Sequence, residues 1–208
     1  MKCMGSDAEL LERWSGGDRT AGNQLFQRYF DSLYGFFETK IDRSDVEELV
    51  QTTLMGCVQG LGTFRQSSSF RTFLFAIARH KLYRYFRDRK RHGQHLDFNV
   101  SSVEEMGTGV HTHLGRAEDQ RLLLQALCSL PLMQQIMLEL FYWENMKGPQ
   151  IAEILDIAVG TVSSRLTRAR AALRERVHAL AQNPRYQTLS VEDLDAWARG
   201  MHERRVSA

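Results

Sequence analysis

The sequence predicts an all-α protein: two small helical domains joined by a flexible linker, the second domain carrying a helix-turn-helix. Three observations predict it. Only three of the 208 residues are proline, and long stretches are rich in Leu, Ala, Glu, Arg and Gln, which favour helix. Apolar residues recur at three- and four-residue steps, and no segment shows a convincing strand alternation. From His92 to about Gly115 that periodicity lapses and Gly, Ser, Asn, Thr and His accumulate, a stretch too long for a structureless loop inside one compact domain. The expected organisation is a first domain over 1–91, a linker over 92–116, a second domain over 117–182 and a tail over 183–208 with a short helix.

In chain order, Asp7–Arg13 reads as a first helix, broken by Trp14-Ser15-Gly16-Gly17-Asp18. A second runs from Thr20 to about Ile41, with Leu25, Phe26, Tyr29, Phe30, Leu33, Phe36 and Phe37 forming a core-facing stripe. Ser44 or Asp45 is placed to N-cap a third helix ending near Gly60. Its apolar face is Val46, Leu49, Val50, Thr53 and Val58, which leaves Asp45, Glu47, Glu48, Gln51 and Thr52 outward. A polar loop follows over residues 62–69, then a fourth helix from about Phe70 to Arg91. Periodicity resumes over Ala117–Leu130, breaks at Pro131, and continues over Leu132–Trp143, Pro149–Leu155 and Thr161–Ala181. After Asn183-Pro184, Ser190 and Asp193 have the spacing of a capping box that starts a tail helix reaching about Arg199.

Composition narrows the function. Cys3, Cys57 and Cys128 are odd in number and widely spaced, so neither a disulfide framework nor a cysteine metal knuckle is expected. No apolar run reaches the roughly 18–20 residues needed to span a bilayer, so the expectation is a soluble, cytoplasmic protein without a membrane partner. Clustered carboxylates, His-Cys ligand spacing and a phosphate-cradling glycine loop are all missing, and His111 and His113 read as linker residues. No catalytic residues, metal or cofactor are expected. The net charge of +2 decides nothing, because the cations are concentrated in two places.

The first concentration is Arg165–Arg176, on the second helix of a segment whose residues Gly148–Leu166 have the pattern of a helix-turn-helix. Gly148 suits an N-cap and Pro149 the first helical position. Ile151, Ile154 and Leu155 face inward, and Asp156 occupies the turn, where it tolerates a left-handed backbone better than most residues. In the second helix Val162, Leu166, Ala169 and Leu173 share a face, leaving Thr161, Ser163, Ser164, Arg165, Thr167, Arg168 and Arg170 for a groove or phosphates. Arg174 and Arg176 suit backbone contacts further along. The second concentration spans residues 77–91, where Arg79, His80, Lys81, Arg84 and their neighbours alternate with Tyr83, Tyr85 and Phe86. Cations interleaved with aromatics suit phosphates and unstacked bases, and the adjoining loop with Phe64, Ser67, Ser68 and Ser69 suits a flipped base. Asp45, Glu47 and Glu48 at the start of the third helix suit a basic protein partner as well as the helix dipole.

Together these motifs over roughly residues 7–181 resemble the extracytoplasmic-function group of bacterial RNA polymerase sigma factors, in the sigma-70 family. Residues 45–51 look like the family's region 2.2, and the resemblance implies docking of Asp45, Glu47, Glu48, Gln51 and Thr52 on the clamp helices of the polymerase largest subunit. Residues 64–79 are similar to the segment that melts and reads the −10 element. This implies −10 roles for Phe64, Ser67, Ser68, Ser69, Arg71, Thr72, Phe73, Arg79, His80, Lys81 and Arg84. Leu130-Pro131 and the helix-turn-helix resemble region 4, which implies −35 reading by Thr161, Ser163, Ser164, Arg165, Thr167 and Arg168, and contact with the flap of the second subunit. The linker would pass near the polymerase active centre, and polymerase would supply all catalysis. Promoter DNA, RNA polymerase core and an anti-sigma factor or Ser/Thr kinase are the implied partners. The alternative is a stand-alone helix-turn-helix regulator.

Departures from the family pattern carry their own expectations. Thr52 stands where an acid is common, His80 where Asn is, and Phe73 where Trp is. Ser163 and Thr167 replace larger or basic side chains, which points to an unusual −35 sequence. Ala158 lacks the hydroxyl that commonly caps the recognition helix, at a cost of about 1 kcal/mol unless Thr161 compensates. Thr52, Thr53 and Thr63 are candidate phosphorylation sites, where a phosphate would add nearly two negative charges beside the acidic face. Leu189, Val191, Leu194 and Trp197 are expected to pack the tail on the second domain.

Overall fold

The computed structural model describes residues 5–64, 68–89, 96–107 and 118–206. Ser67, Lys90, Arg91, His111, His113, most of the expected linker and the Thr63 side chain lie outside the described residues. The described chain is helical, with no strand and a single isolated bridge between Ser102 and Pro131.

Four helices build the first half: α1 (Asp7–Ser15), α2 (Arg19–Glu38), α3 (Arg43–Gly60) and α4 (Phe70–Arg89). Side-chain caps set the early boundaries. Ser6 Oγ accepts from the Glu9 amide at 3.3 Å while Glu9 accepts from the Ser6 amide at 2.7 Å. Hydrogen bonds from Ser6 hold the Glu9 carboxyl below its ordinary pKa. Asp18 caps α2 by accepting from Thr20 and Ala21, and its other oxygen binds Arg13, whose hydrogen bond does most to hold its carboxyl below the ordinary pKa. Gly22 lets the Trp14 ring close over α2: a Cβ there would stand 2.8 Å from the indole. Trp14, Phe26, Tyr29 and Phe70 form a chain of ring contacts at one end of this core. Phe36, Phe37 and Phe75 fill its middle. Each such buried side chain contributes roughly 1.5–3 kcal/mol of transfer free energy.

The expectations need small corrections here. Phe30 does not join the core; it is exposed on the α2 surface beside Tyr34. Helix α3 begins after Asp42 with no side-chain cap bond, so neither Ser44 nor Asp45 is its N-cap. Val58 is outward and exposed, and Cys57 takes the inward place instead, because Cys57 continues the three- and four-residue spacing of Val46, Val50 and Thr53 and Val58 lies about 100° round the helix from it.

The second half contains α5 (Glu118–Cys128), α6 (Leu132–Tyr142), α7 (Gly148–Leu155) and α8 (Val159–Leu180), followed by the short α9 (Pro184–Gln187) and α10 (Val191–Val206). Leu123, Leu127, Leu138, Leu173 and Val177 form its centre. The tail closes over it: Leu194 and Ala198 are fully enclosed, with Leu189 and Trp197 packed alongside, whereas Val191, also expected there, is half-buried outside that cluster. Ser190 and Asp193 form the reciprocal cap that opens α10. Tyr142 and Arg170 both bond Asp195, and Trp143 Nε1 donates to the Ala198 carbonyl at 3.1 Å.

The halves are not separate bodies. One hydrophobic cluster runs from α1–α4 into α6 and α7, and α4 lies against α7. Residues 96–107, within the expected flexible linker, form turns that bind both sides. Leu132 and Met133 amides donate to the carbonyls of Ser101 and Phe98 at 3.0 Å, so this segment satisfies the open N-terminus of α6. Phe98 in turn stacks on Tyr83 of α4 at 4.2 Å.

Candidate nucleic-acid and partner interfaces

Helix α7 ends at Asp156, whose φ of 55° and ψ of 53° are left-handed, as the turn requires. Its N-cap is Lys147 rather than Gly148; the Gln150 side chain accepts from the Lys147 amide at 3.0 Å. Helix α8 begins at Val159 with Ala158 at its N-cap and no side-chain cap bond. Thr161 does not compensate: its hydroxyl donates to the Ala158 carbonyl at 2.7 Å and supplies no acceptor to the amides. Val162, Ala169, Leu173 and Val177 hold α8 down. Thr161, Ser163, Ser164, Thr167 and Arg168 are exposed together and Arg165 is half-buried, so five of the six side chains stand clear on one surface. Arg170, expected on that surface, is instead turned onto the tail by Asp195.

The basic aromatic helix α4 is preceded by Ser69, whose Oγ accepts from the Thr72 amide at 3.1 Å. The Thr72 hydroxyl bonds Ser69 in return and is fully buried. Phe64 and Phe73 meet with ring centroids 4.7 Å apart, above Gly60, where a Cβ would stand 3.0 Å from Phe73. His80 and Arg84 are exposed, Arg84 paired to Asp88 at 3.3 Å, and Lys81 is half-buried. Arg71 is bound by Glu144 of the second half. Arg79 lies over the Tyr83 ring, 5.4 Å from its centroid. Burial pushes the Tyr83 hydroxyl up to about 12, against the pull of Arg79. The expected −10 residues from Arg71 to Arg84 therefore lie on one helix, with Phe64, Ser68 and Ser69 ahead of it, but Arg71, Thr72 and Arg79 are partly or wholly occupied within the chain.

On α3, Glu47, Glu48 and Gln51 project into solvent. Asp45 is engaged: it accepts from Tyr85 Oη at 2.6 Å and from Arg89 at 2.5 Å. Burial, then the bond to Asp45, raises the Tyr85 hydroxyl. Thr52 is half-exposed and donates to the Leu49 carbonyl at 3.2 Å. Thr53 is fully buried with its hydroxyl on the same carbonyl at 2.7 Å, so the folded chain gives a kinase no access to it, contrary to the expectation.

Two family models match the chain: Sigma-70 region 2 over residues 25–92 and Sigma-70, region 4 over residues 120–173, together more than half of its length. The chain belongs to the sigma-70 family, in its extracytoplasmic-function group. The ECF RNA polymerase sigma-E factor of Haemophilus influenzae is 28% identical over 183 residues, spanning 84% of this chain and 97% of that protein. Its counterpart in Escherichia coli K12 is 28% identical over 183 residues, spanning 84% and 96%. Among solved structures, the sigma factor RpoE of Bartonella quintana, in complex with the anti-sigma factor NepR, is 25% identical with a TM-score of 0.59, covering 74% of this chain and 95% of that one. CnrH, in complex with the cytosolic domain of CnrY, shares the fold at a TM-score of 0.62 and 24% identity, covering 83% and 97%.

Within this family frame, α3 and α4 belong to region 2, and α6–α8 to region 4. Sequence reasoning missed several groups that join them. Lys40 is fully buried and paired to Glu139, which is 2% exposed. Arg89 bridges Asp42 at 3.0 Å and Asp45. Asp195 holds Arg170 and Tyr142. One signal was available: Gln135 and Glu139 sit one turn apart in the otherwise apolar Leu132–Tyr142, and a polar pair inside such a run needs a buried partner. Among the described residues no His, Cys, Asp and Glu cluster could hold a metal ion, and no helix is long and apolar enough to cross a membrane.

Proposed function

We propose that the chain directs RNA polymerase core to specific promoters by reading a −10 and a −35 element, and does no chemistry itself. The observation that carries this is the exposed strip Thr161, Ser163, Ser164, Thr167 and Arg168 on a recognition helix set by a left-handed turn, in a chain that also presents a second cationic helix. Short polar side chains and arginines at the front of such a helix suit base edges in the major groove. Region 4 would use that strip with Arg165 on the −35 element. Region 2 would use Phe64, the serine loop, Arg71, Thr72, Phe73, Arg79, His80, Lys81 and Arg84 on an unstacked −10 base. Glu47, Glu48 and Gln51, with Asp45 and Thr52 beside them, form the face for the polymerase clamp helices, and region 4 would also meet the flap of the second subunit.

The working division is 1–91 for polymerase and −10 binding, 92–116 as linker, 117–182 for −35 binding and 183–208 as tail. The site of action is the cytoplasm. Regulation by an anti-sigma factor is supported by the two structural relatives, each solved with such a partner or with a partner's cytosolic domain. A kinase acting at Thr52 would add charge to a face that already carries Glu47 and Glu48.

The test is transcription by core polymerase with this protein on a library of promoter fragments, with the transcript 5′ ends sequenced. The expected result is a shared pair of upstream elements among the initiating templates, with none initiated by core alone. Tight binding of the free protein to one duplex operator, with no effect on initiation, would instead support the stand-alone regulator.

A further inference from the structure

The buried Lys40–Glu139 pair lies where the two regions meet. Lys40 follows the end of α2, and Glu139 faces it from the middle of α6. The polar groups around them bond one another within and across the seam. Lys40 Nζ also donates to the Phe36 carbonyl at 2.5 Å and to Thr39 Oγ1 at 2.9 Å, and it sits 4.0 Å from the Phe36 ring centroid. Glu139 accepts from Thr39 Oγ1 at 3.0 Å and from Gln135 Nε2 at 2.9 Å. The Thr39 carbonyl receives Gln135 Nε2 at 3.3 Å and Cys128 Sγ at 3.4 Å. A charge buried to this degree is tolerable only while its partner stays in place, so the cluster acts on whether the regions are together or apart.

What the seam covers is functional. Helix α4 lies under α7, Arg71 is held by Glu144, and Phe98 of the linker is stacked on Tyr83. A compact chain of this length is about 45 Å across. Elements about 25 base pairs apart are separated by roughly 85 Å at 3.4 Å per base pair. Both reading surfaces cannot engage one promoter while the seam is shut.

We propose that the free protein is held in a closed state by the Lys40–Glu139 latch, which keeps the −10-reading helix packed under region 4 until docking on polymerase separates the two regions. This rests on the promoter-reading function proposed above. The latch favours closure only as a pair. Removing one member strands the other in an apolar seam and drives opening; replacing both by apolar side chains of similar size restores closure.

Native cysteines report the outcome. Cys128 is buried at the seam and Cys57 in the interior of region 2. Alkylation of each is followed by peptide mass spectrometry in the wild type, Glu139→Gln, Lys40→Met and the double variant Lys40→Met/Glu139→Leu. Both single variants are expected to raise the Cys128 rate by about a hundredfold, the scale of breaking one side of a buried pair, with Cys57 unchanged. The double variant is expected to return Cys128 to within a few-fold of wild type, and the single variants to bind core polymerase more tightly. Unchanged Cys128 in folded single variants, or Cys57 rising in step with Cys128 in every variant, would overturn the latch. Failure of the underlying function looks different: the alkylation pattern holds, but no variant, wild type included, joins core polymerase.

Discussion

Asp195→Asn separates what the tail does for stability from what it withholds from DNA. In the wild type the Asp195 carboxylate binds Arg170 through Nε at 2.9 Å and through a terminal nitrogen, and accepts from Tyr142 Oη. The Arg170 and Asp195 side chains are 25% and 14% exposed, so screening removes part of the pair's strength. Amide for carboxylate keeps the shape and one acceptor but loses the charge, a loss of about 1.5 kcal/mol for charge-assisted bonds of this exposure. For a chain of this size that lowers the Tm by roughly 3–6 °C. The same change releases Arg170. It lies seven residues after Ser163 and three after Thr167, on the face that carries the exposed reading strip. One added phosphate contact steepens the plot of log affinity against log salt by about 0.9. The assay is holoenzyme binding to a promoter duplex over a salt series, with thermal unfolding alongside. A lowered Tm with an unchanged salt slope would refute the idea that Asp195 holds a DNA-competent arginine back.

Four further outcomes follow from the caps and the acidic face. Ala158→Ser supplies the acceptor missing at an exposed, extended N-cap, and is expected to raise stability by about 1 kcal/mol in urea unfolding, with unaltered start sites. Thr53→Glu places a charge in a fully enclosed position and should abolish cooperative unfolding. Thr52→Glu, by contrast, should shift stability by no more than about 0.5 kcal/mol while raising affinity for core polymerase. Glu9 and Asp18 have depressed pKa values, so their contribution is full above the ordinary values of 4.5 and 3.8 and declines as pH falls through and below them. Urea midpoints of the wild type should drop over that acid window, and Asp18→Asn should flatten part of the drop.

Much of this fold is legible in the sequence because its elements carry local signals. Asp18, Ser69 and Ser190 each satisfy amides two or three residues ahead, and Asp156 adopts the left-handed turn that its short polar side chain permits. The −35 strip is legible for the same reason: a helix of known period with a buried face leaves its other face predictable. The occupied state of Asp45, Arg71 and Arg170 is not legible, since each partner lies 25 to 73 residues away, on another helix or, for Arg71, in the turn after α6. Residues 96–107 read as linker because they lack periodicity, but they are ordered by backbone bonds to α6 and by Phe98, signals that carry no period. Thr53 and Thr52 are adjacent hydroxyls in sequence, and the three- and four-residue spacing of Leu49, Val50, Thr53 and Cys57 is what separates the enclosed one from the accessible one.

Hydroxyl-radical footprinting of one mapped promoter, with core polymerase alone and with core plus this protein, tests the central claim most directly. Two protected segments, at the −10 and −35 positions, should appear only in the combined sample, and Arg168→Ala should weaken the upstream one alone. A single protected patch given by the protein without polymerase, and unaffected when core is added, would contradict the account.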